Sequence, residues 1–238
     1  MMMLFLCFCS ALAFPVKREK IGYTHHERPL VVESWGDGPK HYLMIASIHG
    51  NESRGTPLLI QLQWFLLQRP ELLTDKTISF MLVANPDGWR VGRRENGSHV
   101  DINRNFRTEN FGRGAFHGAH PLSEPETQAL DRYLRAHQPG RTIVFHEPMN
   151  CIDFDGPSAE LAAQLSRVSN IRIKRLGSRS GSIGTLIGKE LHKEVITFEL
   201  PRSKNESNDE LWNTYRSALL TFLEVDQEVI DKHSNSTK

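Results

Sequence analysis

The chain has 238 residues, of which 39% are hydrophobic and 24% are charged, and its formal net charge is +1. This length suits one globular domain with a substantial core, and the composition excludes a disordered or low-complexity chain. The near-neutral charge argues against nucleic acid as a partner, because nucleic-acid binding needs a clustered basic face.

Residues 1–13 have the features of a secretory signal peptide. An apolar run, too short to span a bilayer, ends in the cleavage pattern Ala11-Leu-Ala13. No positive charge precedes the run, so an uncleaved anchor or a misassigned start is the alternative. We expect a periplasmic or secreted protein without a membrane span, or a cytoplasmic one if the leader does not function. After cleavage Cys151 would be the single cysteine left, so the mature fold would depend on its core rather than on disulfides.

The rest of the chain divides into three parts. Residues 14–40 contain several prolines and glycines and form a short extended entry segment. Residues 41–227 form the predicted catalytic domain. Residues 228–238 form a frayed tail.

The first core strand leads into a histidine and a glutamate. Residues 42–48 are almost continuously apolar, as in a strand that is buried on both faces. Gly50 ends this strand, which places His49 at its carboxyl end, where ligands bind in open α/β sheets. Glu52, three residues later, can reach the same cation across a tight turn. A catalytic zinc site needs three nitrogen or oxygen ligands from the protein and one open position, although His-x-x-Glu alone often arises by chance.

A helix and a second strand follow. Thr56 and Pro57 predict a helix start, as N-cap and first helical residue, and Pro70 ends the helix. Residues 77–84 predict a second core strand, which the turn Asn85-Pro-Asp-Gly88 closes.

A polar loop, residues 89–100, then leads into Asp101-Ile-Asn-Arg-Asn-Phe106. A run so rich in Asn and Arg builds neither a helix nor a strand face, and taken alone it favours a solvated loop. Ser123-Glu-Pro-Glu126 predicts a capping box at the start of an amphipathic helix that ends near Arg135.

A second histidine follows another short core strand. Residues 141–145 form that strand, and it ends in His146, which repeats the placement of His49. Together with Glu52, the two histidines supply the His₂Glu ligand set of a catalytic zinc site. The alternative for His146 is a core histidine satisfied by hydrogen bonds.

A carboxylate follows the last predicted strand. Residues 195–198 are apolar, and Glu199 stands at their end. Such a carboxylate is poorly solvated unless it faces a site, and restricted hydration suits a carboxyl group to proton transfer near neutral pH. The alternative is a salt bridge at the rim of the sheet. Helices are predicted over residues 158–166, 185–192 and 209–224.

Taken together, these residues resemble the zinc carboxypeptidase family, the carboxypeptidase A-like metallopeptidases, from about residue 41 to about residue 201. The family elements stand in order: His49-x-x-Glu52, Asn85-Pro-Asp-Gly88, Arg94 before Asp101-Ile-Asn-Arg-Asn-Phe106, Ser123-Glu-Pro-Glu126, His146 and Thr197-Phe-Glu199. The resemblance implies an α/β protein, with a single three-layer α/β/α domain and a mixed sheet of roughly eight strands.

The resemblance also implies roles for individual residues. It assigns one zinc ion to His49, Glu52 and His146, proton transfer to Glu199, oxyanion stabilisation to Arg94, and binding of the substrate carboxylate to Asn103 and Arg104. A guanidinium matches a carboxylate through two parallel hydrogen bonds, which gives the Asn103-Arg104 pair a function beyond a surface loop. Arg93 competes with Arg94 for the oxyanion role, and the spacing to Asp101 favours Arg94.

Within this family the chain is most similar to the bacterial murein peptide amidases, which cut the γ-D-glutamyl-diaminopimelate bond of peptidoglycan peptides. Three features support this similarity: the short length of the chain, the motif Gly181-Ser-Ile-Gly184, and the sequence Ile-Thr-Phe-Glu-Leu-Pro at residues 196–201. The window before Glu199 lacks the substrate-contacting tyrosine of the digestive carboxypeptidases. Asp153 and Asp155 are expected near the pocket, where they would pair with the far amino group of diaminopimelate; the alternative is two solvated loop residues.

Three other functions are weighed against this one. The first is a general metallocarboxypeptidase that releases C-terminal amino acids. The second is an aspartoacylase-like or desuccinylase-like deacylase of N-acyl amino acids, against which the intact Asn103-Arg104 pair argues. The third is a non-catalytic peptide-binding protein, against which the complete set of His49, Glu52, His146 and Glu199 argues. The expected partner is a peptide or muropeptide substrate.

Overall fold

The computed structural model describes residues 14–202 and 205–225. The predicted leader, residues 1–13, and the predicted tail, residues 228–238, lie outside the described residues. Seven strands form one mixed sheet in the order β1-β2-β4-β3-β5-β7-β6. The strands are β1 Val16–Tyr23, β2 Pro29–Trp35, β3 Lys40–Ile45, β4 Lys76–Met81, β5 Arg141–His146, β6 Met149–Asp155 and β7 Glu194–Pro201.

Helices cover both faces of this sheet. They are α1 Gly55–Leu67, α2 Pro86–Val91, α3 Pro125–His137, α4 Ala159–Ser169, α5 Ile183–Thr185 and α6 Asn208–Phe222, with short 3₁₀ turns at Pro70–Leu73 and Ile102–Arg104 and a π turn at Leu186–Glu190. The core side chains of α1, α4 and α6 pack on one face, and those of α3 and α5 pack on the other. The predicted three-layer α/β/α architecture is therefore confirmed, with seven strands rather than roughly eight. No helix in the described ranges is long and apolar enough to cross a bilayer.

The centre of the sheet is parallel. Strands β4, β3, β5 and β7 run in the same direction, while β1 and β2 at one edge and β6 at the other are antiparallel to their neighbours. Parallel strands that helices cover on both faces need apolar residues in succession. This explains the continuous apolar runs from which β3, β4, β5 and β7 were predicted. The carboxyl ends of these strands meet at one edge, which is where ligands bind in such sheets.

The outer strands escaped sequence-based detection for physical reasons. β1 is an edge strand with many charged and partly exposed residues, so its pattern resembles an extended surface segment. β6 carries Asp153 and Asp155 among apolar residues. The predicted entry segment 14–40 thus contributes β1 and β2 to the sheet.

Three local predictions were wrong. Helix α1 begins at Gly55, and Thr56 does not cap it; the Thr56 hydroxyl instead bonds to Ser47 Oγ (2.9 Å) and donates to the Leu82 carbonyl (2.6 Å). The predicted turn at residues 85–88 is the start of α2, because the Asn85 side chain accepts the Gly88 N–H as an N-cap.

The third error is the capping box at Ser123. Helix α3 has Glu124 at the N-cap position, with no side-chain capping bond. The side-chain amide of the fully buried Asn105 holds the start of the helix instead. Its oxygen accepts hydrogen bonds from Glu124 N (3.1 Å) and Thr127 Oγ1 (2.7 Å). The start of α3 is therefore tied to the Asn- and Arg-rich segment rather than to its own side chains.

Gly55 permits a close approach between α1 and the sheet. A Cβ atom at this position would lie 2.5 Å from Phe145 Cβ and 3.1 Å from Ala46 Cβ. The Cβ atoms of Phe145 and Ala46 are fixed to the backbone and cannot move aside. The first turn of α1 therefore packs against the sheet only because residue 55 has no side chain.

We predict that Gly55→Ala lowers the free energy of unfolding by about 1–3 kcal/mol, the cost of overpacking, although alanine has the better helix propensity. Chemical denaturation checks this value. Gly140→Ala is the matched control, because the nearest atom to its added Cβ is the His41 carbonyl oxygen at 3.6 Å. Equal stabilities of the two variants would contradict the packing argument.

Candidate metal centre and active site

The predicted metal ligands come together beyond the carboxyl ends of β3 and β5. Strand β3 ends at Ile45, so His49 lies in the loop that follows rather than at the strand terminus itself. This loop is fixed against β4 by hydrogen bonds from Ala46 N to the Met81 carbonyl (3.0 Å) and from Ala84 N to the Ala46 carbonyl (3.0 Å). His146 is the last residue of β5, as predicted.

Three ligand atoms converge in this centre. Glu52 Oε2 lies 2.9 Å from His49 Nδ1 and 2.8 Å from His146 Nδ1, and the two Nδ1 atoms are 3.1 Å apart. All three side chains are buried, with 3%, 7% and 4% of the surface of His49, Glu52 and His146 exposed. Together they form a group that can hold a metal ion.

The donor set suits zinc. Two imidazole nitrogens and one carboxylate oxygen leave a fourth coordination position open, as catalytic zinc sites do. Asp101 Oδ1 lies 3.1 Å from His49 Nε2, so a carboxylate occupies this nitrogen, and Nδ1 is the ring nitrogen that faces Glu52 and His146. A carboxylate behind a metal-binding histidine is the usual means of fixing its tautomer and ring orientation.

Buried charges in the centre stabilise one another. Burial opposes ionisation of Glu52, but the hydrogen bonds from His146 and His49 outweigh it and hold the pKa of this carboxyl far below its ordinary range. Burial likewise opposes ionisation of Asp101, and the hydrogen bond to His49 together with the nearby arginines keeps its pKa low. Both carboxylates are therefore anionic at neutral pH and attract a cation.

Arg94 extends this charge network into the open part of the site. Its Nη1 donates to Glu52 Oε1 (2.8 Å), and its Nε donates to Asp101 Oδ2 (3.0 Å). Arg93 points elsewhere, with Nη2 donating to the Asn96 carbonyl (2.8 Å). The geometry thus places Arg94, and not Arg93, beside the metal ligands.

The Asn- and Arg-rich segment is buried rather than solvated. Asp101 Oδ1 accepts Asn103 N (2.9 Å) and starts a 3₁₀ turn. Asn103 Oδ1 accepts the Ile183 N–H (2.9 Å), which ties this turn to α5. Arg104 is half-buried, and its Nη1 donates to the Asn103 carbonyl (2.6 Å).

Glu199 lies beside His146 because of the strand register. β5 and β7 pair in parallel with His146 opposite Glu199, so the two side chains leave the same face of the sheet on adjacent strands. Glu199 is 7% exposed, and its Oε2 accepts the Met149 N–H (3.3 Å). It lies within β7, which extends to Pro201, rather than after it.

One cavity of about 240 Å³ unites the predicted residues. Its lining includes His49, Glu52, Arg94, Asn103, Arg104, His146, Asp153, Asp155 and Glu199. Asp153 and Asp155 are buried on β6, so the solvated-loop alternative for them is wrong. Sequence reasoning missed the lining residue Arg179, since no spacing rule relates it to the metal motif. It identified Gly184 and Thr197 as parts of family motifs but gave them no role in the site.

In a second group of potential ligands, a side-chain amide lies between the two carboxylates. His25, Glu124 and Glu126 lie close enough together to hold an ion. However, Asn96 Nδ2 donates to Glu124 Oε2 (2.8 Å) and Glu126 Oε2 (3.0 Å), and Asn96 Oδ1 accepts Val100 N (3.0 Å), which fixes the amide orientation. Amide hydrogens therefore occupy the space between the carboxylates.

We predict that Asp101→Asn weakens zinc binding by about 10- to 100-fold, because His49 loses the acceptor that fixes its tautomer. Competition with a chromophoric chelator measures the affinity. Asp37→Asn, at an exposed position, is the control. An unchanged affinity in Asp101→Asn would show that this carboxylate does not support His49.

Comparison with known proteins agrees with this site. The sequence model of the zinc carboxypeptidase family matches residues 13–160. The chain is 30% identical over 233 residues to murein peptide amidase A of Escherichia coli strain K12, with 89% of this chain and 91% of that protein covered. It is 32% identical over 192 residues to murein peptide amidase A of Vibrio campbellii, with 73% of each covered.

Solved structures share the fold. The murein-tripeptide amidase MpaA from Escherichia coli O157 superposes with a TM-score of 0.71 at 28% identity, covering 91% of this chain and 95% of that one. Carboxypeptidase A from Helicoverpa armigera superposes with a TM-score of 0.74 at 17% identity, covering 87% and 67%, and shows the fold alone. With its His₂Glu centre, this chain belongs to the zinc carboxypeptidase family of metallopeptidases.

Proposed function

We propose that this zinc metallopeptidase hydrolyses the γ-D-glutamyl-diaminopimelate bond of peptidoglycan peptides. The relatives named murein peptide amidase, which match most of the chain, support this substrate class. The observation that carries the proposal is a cavity in which buried aspartates lie on the strand next to Glu199. We also propose export, on the basis of the predicted leader at residues 1–13.

The metal ligands and the base act on the same bond. His49, Glu52 and His146 would hold the zinc ion, which when bound would supply Lewis-acid polarisation and lower the pKa of a water molecule towards neutrality. Glu199 Oε2 is occupied by the Met149 N–H, which leaves Oε1 to take the proton of the attacking water. The same carboxyl group then gives this proton to the amine nitrogen that leaves.

The arginines have separate tasks. Arg94 is held by Glu52 and Asp101 at the metal centre, so its guanidinium is oriented before the substrate arrives and stabilises negative charge as it develops. Arg104 lines the cavity from a different segment, together with Asn103. It binds the free carboxylate of the residue that leaves, through the parallel hydrogen bonds that a guanidinium offers.

The aspartates on β6 define the far end of the pocket. Asp153 pairs with Thr197 in the β6–β7 register, two residues or about 7 Å along the strand from Glu199. Asp155 lies two residues further along the strand, opposite Val195. A four-carbon side chain that extends from Glu199 along β6 therefore brings its terminal ammonium group to Asp153 first and towards Asp155 beyond it. An aromatic side chain would instead leave the buried carboxylates without a cationic partner, which is costly.

Asp155 needs such a partner more than Asp153 does. Asp153 Oδ1 already lies 3.3 Å from Arg175 Nε. Asp155 accepts a hydrogen bond from Ser178 Oγ, and no cationic side chain within residues 14–202 and 205–225 forms an ion pair with it. A buried carboxylate in this situation indicates an ammonium group in the ligand.

The second candidate is a metallocarboxypeptidase that releases C-terminal basic residues. The same two aspartates favour it, because lysine carries an ammonium group at the same distance from its Cα as diaminopimelate does. The two functions differ in the bond that is cut, an α-peptide bond or a γ-glutamyl bond.

We predict that Glu199→Gln lowers kcat by about 10²–10⁴-fold, since glutamine keeps the shape but accepts no proton. Zinc content, measured by atomic emission, is expected to stay at one equivalent. Glu194→Gln on the same strand is the control, because Glu194 pairs with Arg141 outside the cavity. Normal turnover by Glu199→Gln would move the base to another residue.

The substrate is tested by competition. We expect L-Ala-γ-D-Glu-diaminopimelate to give a higher kcat/KM than benzoyl-Gly-Lys, and benzoyl-Gly-Lys a higher value than benzoyl-Gly-Phe. Asp155→Asn is expected to reduce the first two values by about 10- to 100-fold and to leave the third nearly unchanged. Preference for benzoyl-Gly-Lys would establish the second candidate, and preference for benzoyl-Gly-Phe would contradict both.

A further inference from the structure

Two of the arginines that line the cavity form no ion pair with a carboxylate of the described residues. Arg94 is paired with Glu52 and Asp101. Arg104 and Arg179, by contrast, form no ion pair with any acidic side chain in the described part of the chain. One carboxylate of the substrate satisfies Arg104, and the charge of Arg179 then has no counterpart in the function proposed so far.

The backbone around Arg179 is held in place. Its carbonyl accepts hydrogen bonds from Thr185 Oγ1 (2.8 Å) and Ser182 N (3.2 Å). Two residues later, Gly181 has a φ of 61° and contacts Arg104 so closely that an added Cβ would lie 2.1 Å from the Arg104 carbonyl oxygen. The loop of Arg179 therefore packs directly on the segment of Arg104.

Arg179 also lies next to the acidic end of the cavity. Ser178, its neighbour in sequence, donates to Asp155 Oδ1. On the other side of the loop, Gly184 leaves space for Asp155, since an added Cβ there would lie 2.8 Å from Asp155 Oδ2. The loop 178–184 thus carries Arg179 and contacts Asp155 of β6, and both side chains line the same cavity.

The positive charge of Arg179 affects the neighbouring Arg104. Burial lowers the pKa of Arg104, Asp101 opposes this effect, and the positive charges of Arg94 and Arg179 lower it further. Arg104 is half-buried, and Arg179 is exposed but lines the same cavity. Arginines that repel one another at one cavity favour anions, and more than one carboxylate is needed to neutralise them.

We propose that Arg179 is a specificity residue that binds the carboxylate at the far end of a zwitterionic side chain, while Asp155 binds the ammonium group on the same carbon. This inference rests on the proposed function. It explains how the enzyme distinguishes diaminopimelate from lysine, because the two differ only in that carboxylate. A guanidinium recognises it with two hydrogen bonds, whereas lysine leaves Arg179 unpaired.

The test uses four peptides of the form L-Ala-γ-D-Glu-X. X is diaminopimelate, diaminopimelate with its far carboxylate amidated, lysine, or 2-aminopimelate, which has the far carboxylate without the ammonium group. For the wild type we expect the highest kcat/KM with diaminopimelate. Arg179→Gln is expected to lower this value by roughly 10- to 100-fold, mainly through KM, and to leave the lysine and amidated peptides within about twofold of their wild-type values.

Three further variants isolate the effect. Arg179→Lys keeps the charge and is expected to restore part of the preference for diaminopimelate. Asp155→Asn is expected to weaken the lysine peptide and to spare the 2-aminopimelate peptide, the opposite of Arg179→Gln. Arg172→Gln, at an exposed position on the same segment, is the control. Unchanged zinc content and melting temperature in each variant establish that the fold is intact.

Two results overturn the inference, and they differ from failure of the proposed function. If Arg179→Gln lowers kcat/KM for the diaminopimelate and lysine peptides equally, or lowers neither value, then Arg179 does not bind the far carboxylate. If the wild type cuts none of the four peptides but cuts benzoyl-Gly peptides, the proposed function itself is wrong, and the inference falls with it.

Discussion

The parallel pairing of β5 with β3 on one side and β7 on the other is the constraint on which the site depends. It brings His146, the loop of His49 and Glu52, and Glu199 to one edge of the sheet from three separate parts of the chain. Since each strand is buried by helices on both faces, none of these positions can shift without disturbing the core. The ligands and the base are therefore held by packing before a metal or a substrate binds, which is the preorganisation that catalysis needs.

Charge balance connects this edge with the rest of the cavity. Glu52 and Asp101 are buried anions that interact with one another through His49 and Arg94. Arg94 thus serves two roles in the proposed mechanism, since it neutralises the metal ligands and faces the reacting bond. Further from the metal, Asp155 and Arg179 form no such ion pairs within the described residues, and the substrate-selecting roles proposed for them rest on this difference. Asp155 is buried, and a buried charge without a partner costs free energy, so the retention of this carboxylate supports a cationic group in the ligand.

The sequence predicted those features that depend on local patterns. Continuous apolar runs identified the four parallel strands, because burial on both faces leaves a strong signal. It failed where a distant group decides the structure. Threonine is a residue type that often caps helices, but the Thr56 hydroxyl instead forms hydrogen bonds with Ser47 and with the Leu82 carbonyl. Ser123 and Glu126 have the spacing of a capping box, but Asn105 fastens the start of α3.

By itself, the sequence determined the fold class, the enzyme family and the group of three residues that can hold the metal, because these follow from hydrophobic pattern and motif order. The tertiary structure alone decided which of Arg93 and Arg94 faces the ligands, that Asp153 and Asp155 are buried in the cavity, and that Arg179 joins them there. The physical reason is that a side chain's direction depends on strand register and on loop packing. Both are set by contacts between residues far apart in the chain, which no local pattern records.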